Sequence, residues 1–238
     1  MRKRKVWSFP NSKEIEEGYD GRYGAPGIQR GKRRKPTQEE VKKQNQRNRE
    51  NRVRRLIKAN FRKEDYWTTL TYEKGTRPTG KELKKDAEAF IRKLRKEYKK
   101  QGKVLKYIIR MEIGKNGGPH LHLLVNRVEG GDCLINRCWK KGHCNLKFLY
   151  EEGDFRKLAQ YLTKEKGEQE PEELKRYSRS RNLIVPKPRV YKLKTKTWQE
   201  AKAPKGWYID KETYYEGINP VTGRKYRQYT LLRIKRRE

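Results

Sequence analysis

Cysteine, histidine and long apolar runs are all scarce in this chain, and each scarcity excludes something. Its three cysteines, Cys133, Cys138 and Cys144, are odd in number and form no C-x-x-C pair, which argues against a disulfide framework and for reduced thiols. A zinc site from Cys133, Cys138, His143 and Cys144 is conceivable, but that spacing fits no common zinc module. No apolar stretch approaches the roughly 20 residues that span a bilayer. The opening MRKRKVWSFPNSKE lacks the apolar core of a signal peptide, so a soluble, cytoplasmic protein is expected. Acidic residues are short as well: 64 Lys and Arg face 30 Asp and Glu, for a net charge of +34 and a pI near 10.1. Solubility needs far less, and a polyanion, above all a nucleic acid, is the expected partner. At 32% hydrophobic residues and a mean hydropathy of −1.31, one folded centre with basic flanks is expected rather than a single globule throughout.

The charge is spread unevenly. Residues 1–60 carry +12 (19 basic, 7 acidic), residues 61–174 carry +8 (26 and 18), and residues 175–238 carry +14 (19 and 5). Residues 1–36 are rich in Gly, Pro and cations without sustained pattern, and read as a disordered tail. Thr37 and Glu40 then form a capping-box signature ahead of a basic helix over 37–60 with a thin apolar stripe of Val53, Leu56 and Ile57. That helix either leans on a core as a solvated surface element or also tracks phosphates. In the second case Arg52, Arg54, Arg55 and Lys58 are its candidate DNA contacts.

The apolar periodicity lies in 61–174. DYWTTLTYE, residues 65–73, reads as a strand. Thr79 and Glu82 open a helix whose stripe is Leu83, Ala87, Phe90, Ile91, Leu94 and Tyr98. VLKYIIRMEIG and HLHLLVN form two strands about the turn residues KNGGP. A helical piece through Leu134 to Trp139, a strand HCNLKFLY, and a helix FRKLAQYLTKEK capped by Asp154 complete the region. The first six of these elements spell βαββαβ, an α+β, ferredoxin-like antiparallel sheet with helices on one face and the other open for a site. Residues 175–238 form a basic extension with aromatics among cations: Tyr191, Trp198, Trp207, Tyr208, Tyr214, Tyr215, Tyr226 and Tyr229. These stack on bases, pack in a small hairpin of their own, or do both.

Two of the three histidines stand in GGPHLHLLVN. Strand alternation puts Leu121, Leu123 and Val125 on one face and His120, His122 and Leu124 on the other. Burying the odd-numbered apolar residues of both strands together pairs odd with odd, so Glu112 falls opposite His120 or His122. A three-residue loop over Lys115, Asn116 and Gly117, ending in a bulge, preserves that register. Two imidazoles and a carboxylate make a facial three-ligand set for a divalent ion acting on a phosphate. The nucleophile is sought on the following helix, where Tyr161 lies at the margin of the buried stripe with Lys164 one turn on.

WTTLTYE at 67–73, PHLH at 119–122 and YLTK at 161–164 together resemble, in order, the three motifs of the HUH endonuclease superfamily. Within it they most resemble replication-associated proteins related to the filamentous-phage gene II protein. The resemblance covers about residues 50 to 185, and YSRSRNL at 177–183 is also similar to what such initiators carry there. It implies a nicking domain binding Mg²⁺ or Mn²⁺ through His120, His122 and Glu112. Tyr161 would attack single-stranded or hairpin origin DNA, forming a 5′-phosphotyrosyl link and freeing a 3′-OH for rolling-circle replication of a plasmid, phage or integrated element. Lys164 would orient the phosphate or activate the tyrosine, and Arg176, Arg179 and Arg181 join the candidate DNA contacts. Residues 157 and 165 are Lys and Glu, so a single-tyrosine enzyme is expected. No G-x-x-x-x-G-K-[ST] occurs, so a host helicase and polymerase are expected partners. Relaxases and transposases share this chemistry, and a non-catalytic DNA-binding protein on the same fold is the reading from another class.

Overall fold

The structure, a computed structural model, describes residues 1–19, 31–114, 118–149, 152–167, 171–172, 174–195 and 197–234. In chain order the elements are β1 (Arg2–Ser8), β2 (Ser12–Tyr19), α1 (Gln38–Asn60), β3 (Tyr66–Thr71), α2 (Gly80–Lys100), β4 (Tyr107–Ile113), β5 (Pro119–Val125), α3 (Gly131–Cys138), β6 (Cys144–Phe148), a 3₁₀ turn (Glu152–Phe155), α4 (Arg156–Thr163), β7 (Ser178–Arg179), β8 (Arg189–Leu193), β9 (Trp207–Asn219) and β10 (Arg224–Arg233). They fall into two compact units, Gln46–Val185 and Met1–Asn45 with Pro186–Glu238. Among the described residues no helix is long and apolar enough to cross a membrane.

In the unit 46–185, β3 alternates buried Tyr66, Thr68 and Leu70 with half-buried Trp67, Thr69 and Thr71. Thr79 and Glu82 close the capping box that starts α2, and the whole stripe from Leu83 to Tyr98 is buried. The sheet order is β6-β3-β5-β4-β7, all antiparallel, and its first four strands have the ferredoxin-like order expected of βαββαβ. Beneath α2 and α3, Ile109, Met111, Leu121, Leu123 and Val125 form the strand side of the core. Each such side chain contributes about 1.5–3 kcal/mol by leaving water, which strongly penalises a one-residue slip of the hairpin. The register follows: Glu112 pairs with His120 and Arg110 with His122. The Gly114 amide donates to the Gly118 carbonyl at 2.8 Å across the three intervening residues, as an odd-length turn requires. The expected bulge lies outside the described residues.

The second face of this sheet is not left bare of helices, contrary to expectation. Val53, Leu56 and Ile57 of α1 and Ala159 and Leu162 of α4 pack with Ile108 and Leu124 in a second core. The reason is in the even-numbered residues, which are apolar at 108 and 124 and polar at 110, 112, 120 and 122. One end of the face therefore needs a cover and the other can hold a site. The last helix is also shorter than expected. Asp154 does not cap it; it sits at φ 56° in the 3₁₀ turn with its carboxylate on the Lys58 ammonium, and Lys164 ends α4.

In the unit built from the two chain ends, residues 2–19 are not the disordered tail expected over 1–36, and residues 20–30 of that expectation lie outside the described residues. Residues 2–8 and 12–19 are paired strands in a sheet of order β8-β1-β2-β10-β9. Basic β1 lies antiparallel to acidic β2, with Lys5 level with Glu16 and Arg4 bonded to Glu17 at 2.5 Å. Cross-strand charge pairing of this kind, with a small core of Ile15, Tyr229 and Leu231, supplies what the local composition lacks. The boundaries move accordingly: 175–185 belong with the central unit, and the chain from Pro186 on is grouped with residues 1–45.

Candidate active site

Three strands and one helix end converge at the polar end of the sheet in the unit 46–185. From β5 come His120 and His122, from β4 Arg110 and Glu112, from β3 Trp67 and Thr69, and from α4 Tyr161 with Lys164 just beyond it. The Tyr161 hydroxyl lies 2.6 Å from His122 Nε2 and donates to Glu112 Oε2 at 3.1 Å. Lys164 Nζ donates to Glu112 Oε1 at 2.5 Å and stands 4.7 Å from the centre of the Tyr161 ring. His122 is held from its other side by Thr69, whose Oγ1 is 3.1 Å from Nδ1, and its ring stacks on Trp67 at 5.8 Å and 11°.

Burial pushes the His122 imidazolium down to about 4, with the charges of His120, Lys164 and Arg110 adding to that effect and Glu112 opposing it. His122 is thus neutral near pH 7, with one ring nitrogen able to donate and the other to accept. For Glu112, burial works toward protonation, but the Lys164 hydrogen bond and charge, the Arg110 charge and the Tyr161 hydrogen bond outweigh it. Its carboxyl is held below the ordinary range and stays anionic. The phenolic proton of Tyr161 is donated to Glu112, and the tautomer of His122 sets whether its Nε2 donates to or accepts from the same hydroxyl.

Arg110 is fully buried, and no sequence motif marks it. Its Nη1 donates to the carbonyls of Lys164 at 3.1 Å, Arg176 at 3.3 Å and Leu162 at 3.5 Å, and Nε to Glu112 at 3.3 Å. It thereby ties the carboxyl end of α4 to β4 and sets the height of Tyr161 over the sheet, as a cation at a helix C-terminus does. Residues i and i+2 of a strand share a face, so Arg110 lies on the face of Glu112, the one sequence signal for it. Trp67 and Thr69 were likewise inside a quoted motif without being singled out.

His120 sits over the hairpin. A Cβ on Gly114 would come within 3.0 Å of its Nε2, and a Cβ on Gly118 within 3.6 Å of its ring, so these glycines leave room for the imidazole. Its Nδ1 is buried without a hydrogen-bond partner among the described residues. Glu112, level with His120 in the register, has its oxygens turned to Lys164 and Tyr161. Among the described residues no three His, Cys, Asp or Glu side chains are gathered around one point, which applies equally to the cysteine set with His143.

The candidate DNA contacts separate. Arg52, Arg179 and Arg181 are exposed and Arg55 is half-buried. Arg54 is buried, and the Lys58 ammonium is buried against Asp154, so neither is presented to solvent as expected; both turn inward because α1 packs on the second core. Arg176 is half-buried, with its Nη1 donating to Gln46 Oε1 and to the Thr163 carbonyl, each at 3.4 Å.

The segment running from the start of β3 to just past Lys164 thus holds every one of the converging groups. Residues 65–166 match the replication-associated protein family of ORF2 and gene II protein. This agrees with the resemblance to rolling-circle initiators related to gene II protein. The segment shared with that family opens at Asp65, whose carboxylate accepts from the Arg62 and Arg127 amides at the foot of the sheet, and closes after the Tyr161 helix. No curated protein and no solved structure matches the chain.

Proposed function

We propose that residues 46–185 nick and rejoin single-stranded DNA through Tyr161 and so initiate rolling-circle replication of a mobile element. The observation that carries this reading is the placement of the Tyr161 hydroxyl against His122 Nε2 and Glu112 Oε2. In the step proposed, the Tyr161 oxygen bonds to phosphorus while the bond from phosphorus to the 3′ oxygen breaks. The phenolic proton passes toward the Glu112 carboxylate, and the 3′ oxygen leaves as a hydroxyl after taking up a proton. The product is a 5′-phosphotyrosyl link, and attack by a 3′-OH reverses it without ATP because the ester bond is retained. Lys164 supplies a cation beside the phosphate and draws charge from the phenol, and Arg110 holds the helix end so that the attack distance is reproducible.

A divalent ion suits the site in its donor chemistry. His120 has a buried nitrogen without a partner among the described residues, Thr69 holds His122 in one orientation, and Glu112 is anionic. His120, His122 and Glu112 would hold Mg²⁺ or Mn²⁺, and the ion would supply a Lewis acid for the non-bridging phosphate oxygens. Neither residue 157 nor 165 is a tyrosine, so termination falls to Tyr161 of a second copy or to water, and unwinding to a host helicase. The test is a covalent protein–oligonucleotide adduct with Mn²⁺ across a library of hairpin-bearing single strands. An adduct lost in Tyr161→Phe supports the assignment. Absence of any adduct would return the chain to non-catalytic DNA binding, and a cleaved element end or transfer origin would make it a transposase or relaxase.

A further inference from the structure

Among the described residues, the unit of the two chain ends contains a cluster of cations with few carboxylates beside them. Arg2 at the start of β1 is level with Tyr19 at the end of β2, Arg224 at the start of β10 stands over the Tyr19 ring, and the ring of Trp198, after β8, is centred 6.2 Å from that of Tyr19. Arg224 is 5% exposed, yet neither Nη1 nor Nη2 has a hydrogen-bond partner among the described residues. The same holds for the buried Tyr19 hydroxyl and Arg2 Nε. The other Arg2 nitrogens are spoken for, by the Thr197 carbonyl at 2.8 Å and Thr195 Oγ1 at 2.7 Å.

Aromatic rings, more than carboxylates, hold these cations together. Arg2, Arg227 and Lys225 lie 5.0, 5.1 and 5.5 Å from the centre of the Trp198 ring, and Arg224 lies 5.1 Å from that of Tyr19. The electron-rich ring faces offset the mutual repulsion of the cations without supplying an acceptor. Glu17 is engaged by Arg4 and Arg227, and Glu216 by Lys225 and Tyr214. A buried guanidinium fork with two open nitrogens is costly to keep unless water, an ion or a ligand completes it. The geometry of the fork fits two oxygens of a tetrahedral anion.

We propose that Arg224, Arg2 and Tyr19 form a phosphate site that takes a backbone phosphodiester of a DNA strand, a second nucleic-acid contact outside the segment 65–166. The net charge of +34 argues for a polyanion over a free phosphate.

The test uses the full chain in a Tyr161→Phe background, so that its outcome is independent of nicking. Single-stranded oligonucleotide affinity is measured across a salt series with Arg224 intact and as Arg224→Met. The site predicts affinity about tenfold lower or worse. It also predicts a log–log salt slope shallower by about 0.7, the value for one phosphate contact on a single strand. The melting temperature of the free Arg224→Met chain rises, because an unpaired buried charge is gone. Arg224→Lys, which keeps the charge and loses the fork, folds in either case and loses about threefold in affinity. Unchanged affinity and slope in both variants overturn the proposal. A saturable rise in melting temperature with inorganic phosphate, combined with unchanged oligonucleotide affinity in Arg224→Met, assigns the site to a small anion and overturns the DNA assignment.

Discussion

The Tyr161 hydroxyl rests 2.6 Å from Nε2 of His122, a residue 39 positions earlier on a different element, and the same hydroxyl donates to Glu112 Oε2 at 3.1 Å. The nucleophile proposed for the reaction thus occupies two of the atoms proposed to hold the metal ion. On that proposal hydroxyl and ion would compete for those atoms, and such a competition can be measured without any turnover.

Tyr161→Phe removes the competing hydroxyl while leaving the ring against Trp67. Adduct formation should vanish. Mn²⁺ affinity, measured by calorimetric titration, should rise by about threefold or more, the size of one exchanged hydrogen bond of roughly 0.5–1.5 kcal/mol. Affinity that drops tenfold instead would mean that the hydroxyl helps hold the ion.

Glu112→Ala takes away the carboxylate bonded to both Tyr161 and Lys164. Mn²⁺ affinity should fall by roughly tenfold or more, comparable with the loss in His120→Ala. An unchanged affinity places the third ligand elsewhere, with His143, whose carbonyl accepts from Thr71 on β3, the next to mutate.

Arg110→Met leaves the carbonyls of Leu162, Lys164 and Arg176 without their donor inside a closed core. Loss of a buried cation from such a network should cost about 3–5 kcal/mol in urea unfolding of the chain. A loss below about 1 kcal/mol, the size of an ordinary exposed pair, would show that the helix end is held by packing alone.

Lys58→Met removes the ammonium paired with the Asp154 carboxylate, and both groups are buried. Stability should fall by about 3 kcal/mol with DNA affinity unchanged, whereas Arg52→Ala, on the exposed side of α1, should weaken DNA binding at low salt without affecting stability. Equal losses of affinity in the two variants would return Lys58 to the DNA surface.

How far the sequence reached depends on the range of the physics involved. Strand alternation, both capping boxes, the α2 stripe and the burial of odd-numbered residues are local, and they determined the βαββ core and the level placement of Glu112 with His120. Long-range pairing decided the rest. Residues 2–19 look unpackable alone because their partners, Arg227 and Tyr229, stand on β10 near the far end of the chain and supply the missing charges and apolar surface. Lys58 reads as a surface cation on a helical wheel, and only the packing of α1 on Ile108 and Leu124 turns its ammonium to Asp154. Arg110 on β4 and Tyr161 on α4 were each visible as residues of a face. That a buried guanidinium should hold one helix end so that a hydroxyl meets His122 follows only from the closed tertiary structure, where unpaired donors are too costly to leave.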